Sequence, residues 1–471
     1  MTTAAIDGAS ARSLGEALFA GQQYAAAEAA FRLAAQFDPA DALAHHCHAV
    51  ALRNLERWDE AAAAALRAIR LQPTLAAAYE TLAVAQIATH DHDAAEQLFR
   101  EALRLQPESW SAWNDYGNLL WMTGRTEAAA AAFRKTIELQ PEHVGAHLHL
   151  GMALLKQGDF AAGWREYEWR WRWDELAPCR RPPTLPRWDG SARPKRILLH
   201  AEQGLGDALQ FCRYAPLVAA RGHEVVLEVQ PELVSLLSAS LGSATLQVVP
   251  RAADYPGLAG LPPADAHCPL MSLPLVFGTT VETIPGRPYL VAEPERAATW
   301  RERLAGPGLR IGLVWAGNPR AGHSFVVREA DARRSLPLTA LTPLFSLSDA
   351  RFLSLQKDEA AAQLHGLVGT TVADCGAELC DFSDTAALVA NLDLVICVDT
   401  SIAHLAGAMG RPVWLLSRHD GCWRWLEERS GSPWYPTMRI FRQDADRSWP
   451  RVIEDVRRAL AAWSEAASRA A

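Results

Sequence analysis

The sequence predicts an all-α repeat array followed by an α/β region made of two parallel, Rossmann-like halves. Three observations carry this prediction. Pro39, Pro73, Pro107 and Pro141 recur at intervals of 34 residues, a period of stacked helix-turn-helix units. Residues 178–195, PCRRPPTLPRWDGSARPK, concentrate proline and arginine and cannot continue a helix. Beyond them, apolar runs of strand length alternate with helical stretches, the pattern of βα units.

The repeats come first in the chain. With each proline set at repeat position 32, position 8 holds Gly15, Ala49, Ala83, Gly117 and Gly151, and position 20 holds Ala27, Ala61, Ala95 and Ala129. Small residues there let the first helix of a unit approach the second. Position 24 supplies the larger partner as Phe31, Phe99 and Phe133, with Ala65 in the second repeat. The segment over about residues 8–175 resembles a tetratricopeptide domain. Repeat two, with His45, His48 and Ala65, is expected to pack more loosely. In repeat five, Gly163 and Tyr167 take positions 20 and 24 and no proline follows, as in a terminal cap. The cap's last helix is read through WREYEWRWRWDEL, and its Trp164, Trp169, Trp171 and Trp173 are expected to fasten the array to the next domain. The alternative is a stacking platform for a base or sugar. The HHCH run at 45–48 has no second ligand cluster, so no metal site is assigned.

Composition narrows the functional classes. Forty-six Lys and Arg against 54 Asp and Glu give a formal charge of −8, which argues against nucleic acid as the partner and leaves room for a local basic cleft. The eight cysteines are dispersed through 471 residues, so reduced thiols are expected. Arg12 and Glu16 interrupt any apolar signal core, and no run approaches the ~20 apolar residues of a transmembrane segment. A soluble, cytoplasmic protein is the expectation.

After the 178–195 linker, RILLH (196–200), EVVLEV (224–229), LQVVP (246–250) and a short AHCPLMSL (266–273) mark a first half over residues 196–290. LRIGLVWAG (309–317), RFLSLQ (351–356), TVADCG (371–376), LDLVICVDT (392–400) and RPVWLLS (411–417) mark a second half over 308–450, with a C-terminal helix over 451–471. Strands apolar at consecutive positions are buried on both faces and parallel. Two such halves place a cleft beyond the C-terminal ends of their strands.

Two loops give that cleft its chemistry. In HAEQGLGDALQF (200–211), Gly204 and Gly206 permit a tight turn with exposed N–H groups at a helix start, and Leu209 stands where a dinucleotide fingerprint needs a third glycine. The loop presents Asp207, which suits either a general base for an attacking hydroxyl or an ordinary helix cap. In VDTSIAHLAGAMGRPVW (398–414), Asp399 ends an apolar strand, Thr400 and Ser401 begin a helix, and His404 follows one turn later. Hydroxyls, free amides and an imidazole there fit a phosphate, against the alternative of a merely packed histidine. WAGNPRAGH (315–323) places Gly317 and Asn318 over the same cleft, and Arg333 or Arg334 could balance a phosphate. The segment 421–443 adds Trp423, Arg424, Trp425, Trp434 and Arg439, for base stacking or for packing.

Together with the repeats, HAEQGLGDALQFCRYAP, VWAGNP, RRSLPL, FLSLQ, LCDFSDTAALVANLDLVICVDTSIAHLAGAMGRPVWLL, WRWL and SPWYPTMRIFRQ carry a resemblance over nearly the whole chain. It resembles bacterial proteins that join tetratricopeptide repeats to a two-Rossmann (GT-B) glycosyltransferase domain. That domain is similar to the heptosyltransferase family and more distantly to protein O-linked sugar transferases. The resemblance implies metal-independent, inverting transfer from a nucleotide sugar, with base and sugar left open and no other cofactor. It implies Asp207 as base and Asp399, Thr400, Ser401 and His404 beside the donor phosphate; from their places in the cleft loops, Gly204, Gly206, Gly317, Asn318, Arg334, Gln356 and Trp425 are added as candidate donor contacts. The family's donor lysine has no counterpart, and the stretch between GNP and RRS is longer than the family's. The expected acceptor is Ser or Thr of a protein held by the repeats, with flagellin as a specific candidate. A lipopolysaccharide or other glycan transferase and a non-catalytic scaffold are the alternatives.

Overall fold

Several of the repeat helices begin with a short polar side chain that caps their first amides. Asp7, Asp41 and Ser109 do this for the first helix of a repeat, and Asp91 does so for a second helix. The computed structural model describes residues 7–193, 195–252, 254–319, 325–367 and 372–470. They form two compact units that divide between Ala153 and Leu154.

The first unit holds the antiparallel pairs α1 (Gly8–Ala20) with α2 (Tyr24–Phe37), α3 (Ala42–Asn54) with α4 (Trp58–Leu71), α5 (Ala76–Ala88) with α6 (His92–Leu105), and α7 (Trp110–Met122) with α8 (Thr126–Leu139). The division falls within α9 (Val144–Gln157). The small residues at position 8 act as the sequence requires. A Cβ on Gly15 would stand 2.6 Å from the Phe31 ring, and one on Gly117 would stand 2.7 Å from Phe133. Ala27, Ala61, Ala95 and Ala129 are fully buried. In repeat two, Ala49, Ala61 and Ala65 pack with Leu52 and Leu82. The HHCH side chains diverge: His45 lies 3.2 Å from the Pro39 carbonyl, His48 lies 3.0 Å from Glu28, and Cys47 packs beside Phe31.

The second unit opens with the end of α9 and with α10 (Phe160–Tyr167). Its first sheet has the order β3-β2-β1-β4, all parallel, from β1 (Arg196–His200), β2 (Glu224–Val229), β3 (Leu246–Pro250) and β4 (Ala266–Pro269). Helices α11 (Leu205–Phe211), α12 (Ala215–Ala220) and α13 (Pro231–Leu241) lie between these strands in sequence, α14 (Leu273–Val276) follows them, and α15 (Pro294–Arg303) leads to the second sheet. The second sheet, also parallel, is built from β5 (Leu309–Val314), β6 (Ala350–Ser354), β7 (Val372–Asp374), β8 (Leu394–Val398), β9 (Val413–Ser417) and β10 (Met438–Arg442). Its order, β10-β9-β8-β5-β6-β7, is the doubly wound Rossmann arrangement, whose direction reverses between β5 and β8. Helices α16 (Phe325–Arg334), α17 (Phe382–Val389), α18 (Ser401–Ala408) and α19 (Trp449–Ala470) complete it. Its core joins Ile311, Leu313, Leu394, Ile396 and Leu416 to Val452, Val456 and Leu460 of α19.

Several boundaries differ from the sequence expectation. The runs LRIGLVWAG, LDLVICVDT and AHCPLMSL are strands only to Val314, from Leu394 to Val398, and to Pro269. Their remainders are the loops and short turns at strand ends. Strand β10 was not among the expected strands. The WREYEWRWRWDEL helix is not continuous either: it is α-helical to Tyr167, then tightens into 3₁₀ turns at Glu168–Arg172 and Asp174–Cys179. The buried Arg170 accounts for the change. Its guanidinium reaches the Tyr167 carbonyl at 3.2 Å, Glu168 at 2.6 Å, Ser272 at 2.6 Å and Glu202 at 3.1 Å, ties that outweigh an ideal helical register. All eight cysteines are free thiols. No helix among the described residues is long and apolar enough to cross a membrane.

Candidate active site

Where the strand order of an open parallel sheet reverses, the loops leaving the two central strands splay apart and open a crevice. In the second sheet those loops are Trp315–Pro319 after β5 and Asp399–Thr400 after β8. A cavity of about 420 Å³ lies there. Ala316, Gly317, Asn318, Gln356, Thr400 and Ser401 line it from the second half, and Leu205 and Glu232 line it from the first. A neighbouring cavity of about 530 Å³ shares Gly317, Asn318 and Gln356 and adds Arg328, Asp331 and Ser335.

The β5 loop needs its glycine. A side chain on Gly317 would collide with the Arg334 guanidinium, and the Gly317 N–H donates to Ser335 Oγ at 3.1 Å. Arg334 Nη1 donates to the Asp399 carbonyl at 3.1 Å while Nη2 lies 2.8 Å from Asp331. One guanidinium thereby braces both crevice loops. Arg333 instead pairs with Asp420 at 3.0 Å. Gln356 is buried, and its side-chain amide is engaged with backbone: Oε1 accepts from Trp315 and Ala316 N–H at 3.1 and 3.0 Å, and Nε2 donates to the Ala316 carbonyl at 3.1 Å. It shapes the cavity wall by closing the turn after β5.

Helix α18 aims its start into the crevice. Thr400 is its N-cap with extended backbone and makes no side-chain cap bond; Thr400 Oγ1 is buried without a partner. The first-turn amides therefore face the cavity with their partial positive charge uncapped by that hydroxyl. Ala403, Ala406 and Ala408 are fully buried, and a Cβ on Gly407 would overlap Tyr435, so small residues let α18 sit close to its neighbours. His404 is buried as well, with Nδ1 3.0 Å from the Tyr435 hydroxyl and its ring stacked on Trp425 at 5.3 Å. Burial holds its pKa well below the ordinary histidine value, and Arg424 and Arg213 push the same way. The imidazole is neutral near pH 7 and offers a dipole and a hydrogen bond rather than a charge.

The two halves meet at this point. A Cβ on Gly206 would stand 2.9 Å from His404 Cδ2 and 3.5 Å from Ser401 Cα, so the glycine of the first loop permits α11 to pack on α18. Asp207 Oδ2 accepts the Gly204 N–H at 3.0 Å, and Oδ1 is paired with Arg424 from the loop after β9. Asp207 thus caps the start of α11 and pairs across to Arg424, and it is not among the residues that line either cavity.

Comparison with known proteins places both regions. Residues 352–416, from β6 through α18 to β9, match glycosyltransferase family 9 (heptosyltransferase), and residues 74–179 match the middle TPR-like domain of cilia and flagella-associated protein 70. The chain joins a TPR-like repeat region to a GT-B-like domain, as in heptosyltransferases. It is 28% identical over 337 residues to Protein FlbA of Caulobacter vibrioides, an alignment covering 65% of this chain and 53% of that protein, so the chain spans about half the length of this relative. The chain is also similar to a thermophilic TPR protein of Thermus thermophilus, at 18% identity, 36% of this chain, 93% of that one and a TM-score of 0.33. MamA from Desulfovibrio magneticus gives 17%, 36%, 97% and 0.31.

Within the GT-B-like domain, the residues singled out from sequence take different places. Gly317, Asn318, Gln356, Thr400 and Ser401 lie on the cavity wall. Gly206, Asp207 and His404 form the contact between the halves beside it, Gly204 gives its N–H to Asp207 within the first loop, and Asp399 holds Arg334 through its carbonyl. Trp425 is fully buried against His404 and Tyr435, so it packs the site rather than presenting a face to the cavity. Residues 320–324 of WAGNPRAGH lie outside the described residues. Sequence reading passed over Lys357, Asp358 and Glu232, which also line the cavity. Their signal was position: Lys357 and Asp358 directly follow the run ending in Gln356, and Glu232 sits just past β2. Among the described residues no group of three or more His, Cys, Asp or Glu is arranged to hold a metal ion.

Proposed function

We propose that the GT-B-like domain is an inverting glycosyltransferase that moves a sugar from a nucleotide donor to a Ser or Thr hydroxyl of a polypeptide held by the repeats. The observation that carries this reading is the crevice at the β5/β8 reversal, where the start of α18 and the Arg334-braced loops converge beside the Gly206–Asp207 turn of the other half. Oriented amides of this kind suit a phosphate. In the proposed step the acceptor oxygen bonds to the anomeric carbon from the face opposite the phosphate. The carbon–oxygen bond to phosphate breaks with its electron pair going to the phosphate, and the acceptor proton passes to Asp207. The α18 amides and Arg334 balance the charge left on the nucleotide, and His404 supports them as a neutral group.

Repeat arrays offer extended concave surfaces for partner chains, which supports a polypeptide acceptor; flagellin is one specific case to try. The match to heptosyltransferases over 352–416 favours a second reading, a glycan or lipopolysaccharide acceptor. Thermal shift with a library of nucleotide sugars, followed by intact-mass analysis of acceptor proteins, separates the readings. A donor-dependent mass increment on a protein supports the first, and transfer to glycan alone supports the second. Neither binding nor turnover of any donor would leave a scaffold.

A further inference from the structure

One tightly held side chain near the site that the reading above leaves unused is Arg424. Its side chain is one-tenth exposed and crosses from the loop after β9 to α11 of the other half. Nη2 pairs with Asp207, Nε donates to Gln210 Oε1 at 2.7 Å, and Nη1 lies 3.2 Å from Cys422 Sγ. The guanidinium also sits 4.3 Å over the Trp423 ring. Trp423 is packed from its other sides by Trp164 at 5.2 Å and Tyr167 at 6.1 Å, both from α10.

The backbone that carries Arg424 is strained and held. Leu426 and Glu428 have φ of 49° and 53°, a region that L side chains occupy only where the surroundings compel it. Here Arg442 donates to the Leu426 carbonyl at 2.8 Å, and the buried Lys156 lies 3.4 Å from Glu427. Such expenditure is out of proportion to a surface ion pair and points to a need for a fixed guanidinium.

We propose that Arg424 is a positioning residue for Asp207, an inference that rests on the glycosyltransferase reading. A carboxylate oxygen has two acceptor directions. With Oδ2 holding the Gly204 N–H and Oδ1 holding Arg424, the plane of the Asp207 carboxylate is fixed and one direction per oxygen is left for an incoming hydroxyl. The planar fork of arginine does this because Gln210 blocks its rotation; an ammonium supplies the charge without the second anchor. Arg424 thereby acts through Asp207, and α10 acts through Trp423 on Arg424.

The test uses the full chain and nucleotide release from a panel of UDP-, GDP-, ADP- and CMP-linked sugars. Arg424→Met is expected to lower kcat about 100-fold while donor KM stays within about threefold, and Arg424→Lys to recover about tenfold of that loss. Combining Arg424→Met with Asp207→Asn is expected to be no slower than Asp207→Asn alone, since residues acting through one another are not additive. Gln210→Met, which removes only the Nε acceptor, is the second variant and serves if Arg424→Met does not fold; its kcat is expected to fall about tenfold. A kcat within about threefold of wild type in the folded variants, or multiplying losses in the double variant, would overturn the positioning role while leaving the enzyme standing. No nucleotide release by the wild type from any donor overturns the glycosyltransferase reading, and this inference falls with it.

Discussion

Gly206 is the residue on which contact between the halves turns. Its absent side chain makes room for His404, and a methyl added there would stand 2.9 Å from the ring. Gly206→Ala is therefore expected to displace His404 from Trp425 and to weaken donor binding at least severalfold, as read by thermal shift, with the circular dichroism spectrum retained. His404→Ala is expected to slow transfer about 100-fold, in line with the ~2.7–4 kcal/mol commonly lost with one well-placed donor. Because the imidazole is neutral near pH 7, that loss should be the same at pH 7 and pH 8. A loss that grows sharply with falling pH in this range would mean a charged histidine. Asp207→Asn tests the base directly through kcat; retention of most turnover would remove it from that role. Much of this site was legible one residue at a time, since Gly204, Gly206, Thr400 and Ser401 each announce a local backbone need. The Asp207–Arg424 pair was not, because 217 positions separate the partners and no local pattern records the meeting. Trp425 shows the converse: a tryptophan beside arginines reads as a stacking surface until its full burial is known.

Among the elements, the strands with consecutive apolar residues, such as Leu394–Val398, were evident in the sequence because burial on both faces leaves a plain signature. Strand β10 escaped because Arg439 is exposed between the buried Met438 and Ile440, on an edge strand that follows Pro436. The broken helix after Tyr167 escaped because its cause, the ties of Arg170 to Ser272 and Glu202, lies elsewhere in the chain. Those ties make α10 part of the second unit. Phe160 stacks on Trp434 at 6.0 Å, and Trp164 packs on Phe211 at 6.1 Å. A chain beginning at Val144, which keeps α9 whole, is expected to express as a folded protein with a cooperative melt. One beginning at residue 176 loses Phe160, Trp164, Tyr167 and Arg170 and is expected to aggregate or melt without a sharp transition. Equal melting of the two chains would show that α10 contributes nothing to this unit.

For the whole molecule, buried and partly buried histidines set the response to acid. His46, His149 and His267 are held near pKa 4 chiefly by burial, and His200 and His404 are also depressed. Each has a folded value below the unfolded ~6.5, so below pH ~6.5 the unfolded chain binds more protons and stability falls as pH falls. Each such group costs about 1.4 kcal/mol per pH unit between ~6.5 and its folded value. Glu80 opposes them in part: burial raises it to about 6, so it loses stability as pH rises from about 4.5 to 6. The midpoint of thermal unfolding is expected to drop steeply from pH 7 to pH 5 and little from pH 8 to pH 7; a flat profile on the acid side would contradict the neutral state of these rings. The repeat region has a different molecular-scale property. Each 34-residue unit brings its own glycine or alanine contact between its helices, so a duplication of whole units would lengthen the array without redesigning what lies on either side. Gain or loss of whole units would then change the length of the array in steps of 34 residues while the sequence of the second unit stays untouched.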